Sequence, residues 1–284
     1  MLEEFAPAKV NLTLVVHGCR PDGYHELDSL VVFASVGDHL TFEPGGPLAL
    51  TTSGAYATAI TDENLVLKAV RRAAALSPHL DVGQFTLAKQ LPVAAGLGGG
   101  SADAAAALRL LRRANPEAAA RIDWKAVAAA CGADVPVCLA GKAARMQGVG
   151  ETVTPLVSLP PLACVIANPR VALSTADVFR ALRAPPVGAG LPVSFPHRFR
   201  SSTDLVAFVR SGRNDLEPPA MALCPVIGDV LQALSACGDC LVARMSGSGP
   251  SCFAVFSSGA SADRAAMALR QQHPDWWIAA TTLA

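Results

Sequence analysis

The sequence predicts an α+β chain in two domains. Three observations carry this: an amino-terminal run dominated by strand periodicity, helices that follow without regular strand–helix alternation, and a length of 284 residues, enough for two modest domains. Apolar residues make up 51% of the chain and charged residues 16%, which excludes a disordered or fibrous protein and supplies a core without staples. The 23 basic and 23 acidic side chains cancel. With no phosphate-neutralising excess, the chain is not expected to bind nucleic acid. A charged ligand has to be held by local dipoles and a few placed cations.

In residues 9–16, Val10, Leu12, Leu14 and Val16 share one face and Asn11, Thr13 and Val15 the other, which is strand periodicity. Arg20-Pro-Asp-Gly-Tyr-His is a loop rich in turn formers. Residues 30–36, 39–42 and 48–52 read as three further strands. Thr61-Asp-Glu-Asn signals a helix start, and Leu65, Val66, Ala69, Val70, Ala73 and Leu76 form a helical stripe behind it. A strand at 85–91 leads through a glycine run into an alanine- and leucine-rich helix at 101–113, and a second helix is expected at 123–131, ending at Gly132. Residues 152–161 are polar, proline-containing and poorly periodic, so the boundary falls there, giving domains of residues 1–155 and 156–284. Beyond it come a strand at 163–167, a helix at 174–183, a proline-rich loop at 185–196 and further helices. The chain closes with Met245-Ser-Gly-Ser-Gly, a strand at 252–256, a helix at 261–271 and a last strand near Trp277.

The most apolar stretch, residues 126–140, is interrupted by Asp134 and Pro136 and is too short to span a bilayer. The opening Met-Leu-Glu-Glu lacks the basic start of a signal peptide, so the expected location is the cytoplasm, with no membrane association. There the eight cysteines are free thiols. Cys237 and Cys240 form a lone Cys-x-x-Cys with no second pair or histidines nearby, and are expected to be structural rather than a zinc or redox site.

The strongest signal is Leu91-Pro-Val-Ala-Ala-Gly-Leu-Gly-Gly-Gly-Ser-Ala-Asp-Ala. Gly96, Gly98, Gly99 and Gly100 leave the backbone open to a ligand, and Ser101 opens a helix whose first amide groups lack intrahelical partners. Those donors and the helix dipole make an anion site that needs no net positive charge. No Gly-Lys-Ser/Thr closes the loop, so it is not a P-loop, and Ser101 stands where a dinucleotide fingerprint needs its third glycine. Met245-Ser-Gly-Ser-Gly-Pro, an ordinary turn by itself, can close such a site from the second domain.

Pro7-Ala-Lys-Val-Asn-Leu, residues 92–101 and Ser246-Gly-Ser-Gly are similar to the three motifs of the GHMP small-molecule kinases. Arg20-Pro-Asp-Gly-Tyr-His-Glu-Leu and Gly132-Ala-Asp-Val-Pro narrow the resemblance to the branch acting on CDP-methylerythritol, in which Ala94-Ala95 stands where more glycine is common. The resemblance implies a two-domain GHMP fold, with a ribosomal protein S5 domain 2-like amino-terminal domain, a ferredoxin-like carboxy-terminal domain and the site in the cleft between them. It also implies ATP-dependent phosphorylation of a 2-hydroxyl in the non-mevalonate isoprenoid pathway, with ATP and Mg²⁺ as cofactors and a monomer or weak homodimer as the working form. Another GHMP kinase, or a non-catalytic nucleotide binder on the same fold, is the alternative.

By the same resemblance Asp134 is the catalytic base and Lys9 lies beside it and the attacking hydroxyl. From the residues alone, Asp134 reads equally well as a capping aspartate and Lys9 as a solvent-facing strand residue. ATP falls to Pro92, Val93, Ala94, Ala95, Gly96, Leu97, Gly98, Gly99, Gly100, Ser101 and Ala102, with Ser101 reaching a phosphate oxygen or the magnesium shell and Asn64 and Lys89 near the adenosine. Tyr24 and Phe179 sandwich the cytosine, His25 bonds its edge, and Asn11 contacts the substrate near the reacting alcohol. No metal ligand is named.

Overall fold

A computed structural model describes residues 1–59, 64–188, 195–196 and 198–284. The chain packs into two compact units that interleave along the sequence: residues 1–8, 37–93 and 98–141 form the first, and residues 9–36, 94–97 and 142–284 the second. The crossings fall in two long strands, β1 (Leu2–Cys19) and β2 (His25–Glu43), in the glycine loop, and at Lys142.

In the first unit β3 (Ala49–Ser53) lies parallel to β4 (Gln84–Ala88), and β4 pairs antiparallel with the second half of β2, setting Leu40 opposite Leu87 and Phe42 opposite Phe85. The Phe42 and Phe85 rings meet at 4.7 Å. Helices α1 (Leu65–Leu76), α2 (Gly99–Ala114), α3 (Pro116–Ala119), α4 (Trp124–Cys131) and α5 (Val135–Ala140) complete it. Ala102 and Ala104 to Leu108 of α2 are all buried, so its alanines serve both helix propensity and close approach. Its carboxy-terminal half is tied to β1 by Arg109 and Arg113, which hold the two carboxylate oxygens of Glu4 at 2.7 and 2.8 Å.

In the second unit β5 (Ala144–Gly148) runs between the first half of β2 and β6 (Thr152–Pro155). An antiparallel ladder joins β10 (Trp277–Leu283), β7 (Leu162–Asn168), β9 (Cys252–Phe256) and β8 (Cys240–Met245) in that order. Its helices are α6 (Thr175–Leu182), α7 (Ser202–Ser211), α8 (Glu217–Leu223), α9 (Val226–Ser235) and α10 (Gly259–Gln272). The core gathers Leu14, Val165, Val178, Ile227, Met245 and Leu269. The central strand β9 is buried along its whole length, which is why it reads as a continuous apolar run.

Several expectations are corrected. Residues 30–36 and 39–42 belong to one strand, because Gly37 does not break β2 but admits β1: a Cβ there would sit 2.7 Å from the Cα of Pro7. The strand expected at 85–91 stops at Ala88, since the N–H groups of Gln90 and Leu91 turn to Asp38 Oδ1. The helix after the glycines starts at Gly99, ahead of Ser101. Residues 152–155, read as irregular, form β6. The helix start at residues 61–63 and loop residues 189–194 lie outside the described residues.

Among the described residues no helix is long and apolar enough to cross a membrane. All eight cysteines are free. Burial pushes the Cys237 and Cys240 thiols up, which suits unreactive structural positions.

Candidate active site

Within the second unit β1 carries Lys9 and Asn11 inward. Lys9 is 4% exposed, not the solvent-facing lysine its strand pattern permitted, and its backbone N–H donates to Leu97 O at 2.8 Å. The strand and the glycine loop are therefore hydrogen-bonded neighbours. Asn11 donates from Nδ2 to Ser29 Oγ at 2.7 Å, while its buried Oδ1 has no partner. A buried acceptor left unpaired is costly, and it is the group a substrate hydroxyl would satisfy.

The serine–glycine loop closes on the same place. Ser246 Oγ accepts the N–H of Asn11 at 3.1 Å and donates to Gly96 O at 3.2 Å, and Ser251 N–H donates to Ala95 O at 3.2 Å. Gly96 has a φ of 72°, and a Cβ there would sit 2.6 Å from Gly249 O, so both backbone angle and space require glycine. Ala94, where glycine would be at ease, also takes a left-handed φ of 51°.

Thr175 Oγ1 and Ser248 Oγ, 2.8 Å apart, fix the start of α6 to this loop. One turn further along α6, Phe179 meets His25 with ring centroids 4.7 Å apart and planes at 35°. Burial lowers the His25 pKa and favours a neutral imidazole that can both donate and accept. Tyr24, in the preceding turn, is 62% exposed, a face open to a flat ring.

The first unit holds the helix start. Gly98, left-handed at a φ of 60°, occupies the cap position of α2, and no side chain caps it. The Ala102 N–H returns to Gly98 O at 2.8 Å, so the amides of Gly99, Gly100 and Ser101 are the first-turn donors beyond the reach of helical pairing. Pro92 is buried, while Val93 and Gly100 are exposed.

Beneath this turn lies a charge cluster. Lys89 Nζ stands 2.6 Å from Asp38 Oδ2 and 2.6 Å from Asp103 Oδ2, and a Cβ on Gly99 would come within 3.1 Å of it. Burial pushes the Asp103 carboxyl up to about 7, with the Asp38 charge adding and Lys89 opposing. Burial works to lower the Lys89 pKa, but the two carboxylates outweigh it and the net direction is upward. The Lys89 ammonium is buried and bound to two carboxylates. Lys89 braces the start of α2 from below through these two carboxylates. Asn64 caps α1, its side chain accepting the Val66 N–H at 2.9 Å.

Asp134 occupies the cap position of α5 and makes no side-chain capping bond there. It belongs to the first unit and Lys9 to the second. Reading the sequence singled out the serine–glycine loop as a segment but not the individual hydroxyls of Ser246 and Ser248. Asp38, Thr175 and Asn214 sit in unremarkable local sequence, and Asp103, although inside the glycine-loop motif, carries no local mark of its buried ion pair.

The comparisons with known proteins bear on this geometry. Residues 64–142 match the GHMP kinases N terminal domain and residues 204–275 the GHMP kinases C terminal domain. A 4-diphosphocytidyl-2-C-methyl-D-erythritol kinase of Rhodopseudomonas palustris (strain ATCC BAA-98 / CGA009) is 52% identical over 99% of this chain and 97% of its own length. Another, from Dinoroseobacter shibae, is 50% identical over 98% of this chain and 94% of its own. The chain belongs to the 4-diphosphocytidyl-2-C-methyl-D-erythritol kinase family. A crystal structure of 4-(cytidine 5'-diphospho)-2C-methyl-D-erythritol kinase matches with a TM-score of 0.80 at 37% identity, covering 100% of this chain and 99% of that one. The mevalonate kinase of L. major, at 15% identity and a TM-score of 0.67 over 100% of this chain and 96% of its own, shares the fold alone. Within this GHMP kinase family the phosphate donor is ATP. The α+β, two-domain expectation and the kinase assignment stand.

Proposed function

We propose that the chain transfers the γ-phosphoryl group of ATP to the 2-hydroxyl of 4-diphosphocytidyl-2-C-methyl-D-erythritol, in the non-mevalonate route to isoprenoids. The observation that carries the reading is the Ser246 hydroxyl, which joins the strand of Lys9 and Asn11 to the glycine-loop apex at Gly96 in one hydrogen-bonded group. A kinase needs an alcohol-orienting strand and a phosphate-holding loop in fixed register, because phosphoryl transfer depends on positioning and charge stabilisation more than on covalent chemistry.

In this reading the amides of Gly99, Gly100 and Ser101 and the dipole of α2 hold the phosphates. Asp134 orients the 2-hydroxyl and accepts its proton late, as a loose transition state requires, while Lys9 stabilises the developing negative charge. The Asn11 Oδ1 accepts from the substrate near the reacting alcohol. Tyr24 and Phe179 stack on the cytosine and His25 reads its edge, base stacking being worth about 1–3 kcal/mol per ring.

Among the described residues no group of three or more His, Cys, Asp or Glu could hold a metal, so a resident ion cage is not offered by the side chains. Bound Mg²⁺ would supply charge neutralisation at the phosphates, and the Ser101 hydroxyl is the group of this chain that would join phosphates and water in holding it. We place the reaction in the cytoplasm.

The test is product identity. With ATP and the cytidyl substrate, ³¹P NMR should show one new phosphomonoester on carbon 2 for each ADP formed. A phosphate placed on another hydroxyl, or ADP formed without any phosphorylated product, contradicts the proposal.

A further inference from the structure

Asn214 lies just before α8, far from every sequence motif of the site, and is 5% exposed. Its Nδ2 donates to two carbonyls of the serine–glycine loop, Met245 O and Gly247 O, both at 2.8 Å. Its Oδ1 accepts the Leu216 N–H at 3.0 Å, which fixes the amide's orientation. The residues flanking Asn214 are fastened to β1: Leu14 N–H donates to Arg213 O at 2.8 Å and Asp215 N–H to Leu14 O at 2.9 Å. The Asn214 side chain therefore spans from the strand that carries Lys9 and Asn11 to the loop that carries Ser246.

That loop has little freedom to move independently. Gly247 takes a left-handed φ of 57°, and a Cβ there would press on Gly96 O at 3.1 Å and Asn11 Oδ1 at 3.3 Å. Ser246 then hands the register on through its hydroxyl, accepting from Asn11 N–H and donating to Gly96 O. The result is a closed circuit: β1 to Asn214, Asn214 to Met245 and Gly247, Ser246 to Gly96, and Lys9 N–H back to Leu97 O.

We infer that Asn214 is a positioning residue for phosphoryl transfer: its amide and the Ser246 hydroxyl form a clasp that sets the height of the glycine-loop apex above the strand that orients the alcohol. The inference rests on the proposed kinase reading. The polar atoms of the clasp are taken up by Asn11 N–H and by backbone carbonyls, so its loss misaligns bound reactants rather than releasing them, and a misplacement of about 1 Å is enough to cost about 100-fold in turnover.

Two variants of the full chain test it. Asn214→Asp keeps the shape and the acceptor to Leu216 but turns an oxygen toward two carbonyls, and Ser246→Ala removes the joining hydroxyl alone. Both should lower kcat about 100-fold while KM for ATP and for the cytidyl substrate stays within about threefold. Both should also release ADP in excess of phosphorylated product, as water replaces a misaligned alcohol. Amide hydrogen exchange, which needs no substrate, should quicken about tenfold or more in peptides covering the circuit, residues 9–14, 94–98, 213–216 and 245–251, and stay unchanged in the rest of the chain.

Wild-type turnover and unchanged exchange in both variants would overturn the clasp. So would a kcat loss that merely tracks the loss of folded protein, with exchange quickened throughout. A wild-type chain inactive on the cytidyl substrate would count against the proposed function alone, and the exchange readout would still decide the clasp.

Discussion

Single side chains divide the chemistry between them, and each division can be measured. Asp134→Asn is isosteric and keeps a residue of the same shape at the cap position of α5, so the variant is expected to fold and to bind both substrates. With no base to take the proton, its kcat should fall by about 100- to 10,000-fold, the usual worth of a positioned general base. Steady-state kinetics beside calorimetric binding check this, and near-wild-type turnover would end the assignment. His25 gives a pH test. Burial lowers its pKa below the ordinary 6.5, so the imidazole is neutral at pH 7 and becomes charged only as the pH falls below that value. KM for the cytidyl substrate should therefore rise in acid while KM for ATP stays level, and His25→Ala should raise the first far more than the second at pH 7. A flat profile, or equal effects on both substrates, would remove His25 from base recognition.

Individual elements show where the stability of the site resides. The first turn of α2, proposed to hold phosphate, rests on Lys89, held at 2.6 Å by both Asp38 and Asp103. Lys89→Met would leave two buried carboxylates facing each other and should cost about 3–5 kcal/mol in urea unfolding. A cost under 1 kcal/mol would mean the cluster is not a brace. The Asp103 carboxyl, raised by burial from 3.8 to about 7, holds its proton more tightly in the folded state. The stability this contributes is complete below pH 3.8 and is lost as pH rises to about 7. Wild type should thus lose stability relative to Asp103→Asn across that window, and parallel profiles would contradict the shift. None of this cluster was legible in the sequence, because Asp38, Lys89 and Asp103 come from a strand, a strand end and a helix and meet only on folding. The glycine turn above it was legible, because four glycines before an alanine-rich helix state their backbone requirement locally. Strands announced by alternation, such as β1, and by unbroken apolar runs, such as β9, were equally plain. The continuity of β2 across Gly37 was not, since that glycine answers to Pro7 rather than to its own neighbours.

At the scale of the whole molecule, the chain carries no net charge, so under the proposed function a polyanionic donor is held by backbone dipoles. The three motifs lie at residues 7–12, 92–101 and 246–249, yet the second unit alone already joins Lys9, Gly96 and Ser246 through backbone and hydroxyl groups. What the sequence could not disclose was the fastening behind them, Asn214 above all, because a side chain that serves two distant carbonyls leaves no local pattern. Discrimination among alcohols belongs to this scale as well, since relatives of the same fold include a mevalonate kinase and a galactokinase. The aromatic pair of His25 and Phe179 beside exposed Tyr24 suits a substrate with a base to read. The most direct measurement is a coupled ADP-release assay of the wild-type chain on four acceptors: the cytidyl-diphosphate methylerythritol substrate, mevalonate, homoserine and galactose. The account predicts a kcat/KM for the cytidyl acceptor at least about 1,000-fold above the others, the order expected when a site built to bond a base is offered alcohols without one. Comparable rates on mevalonate or galactose, or none on the cytidyl acceptor, would contradict it.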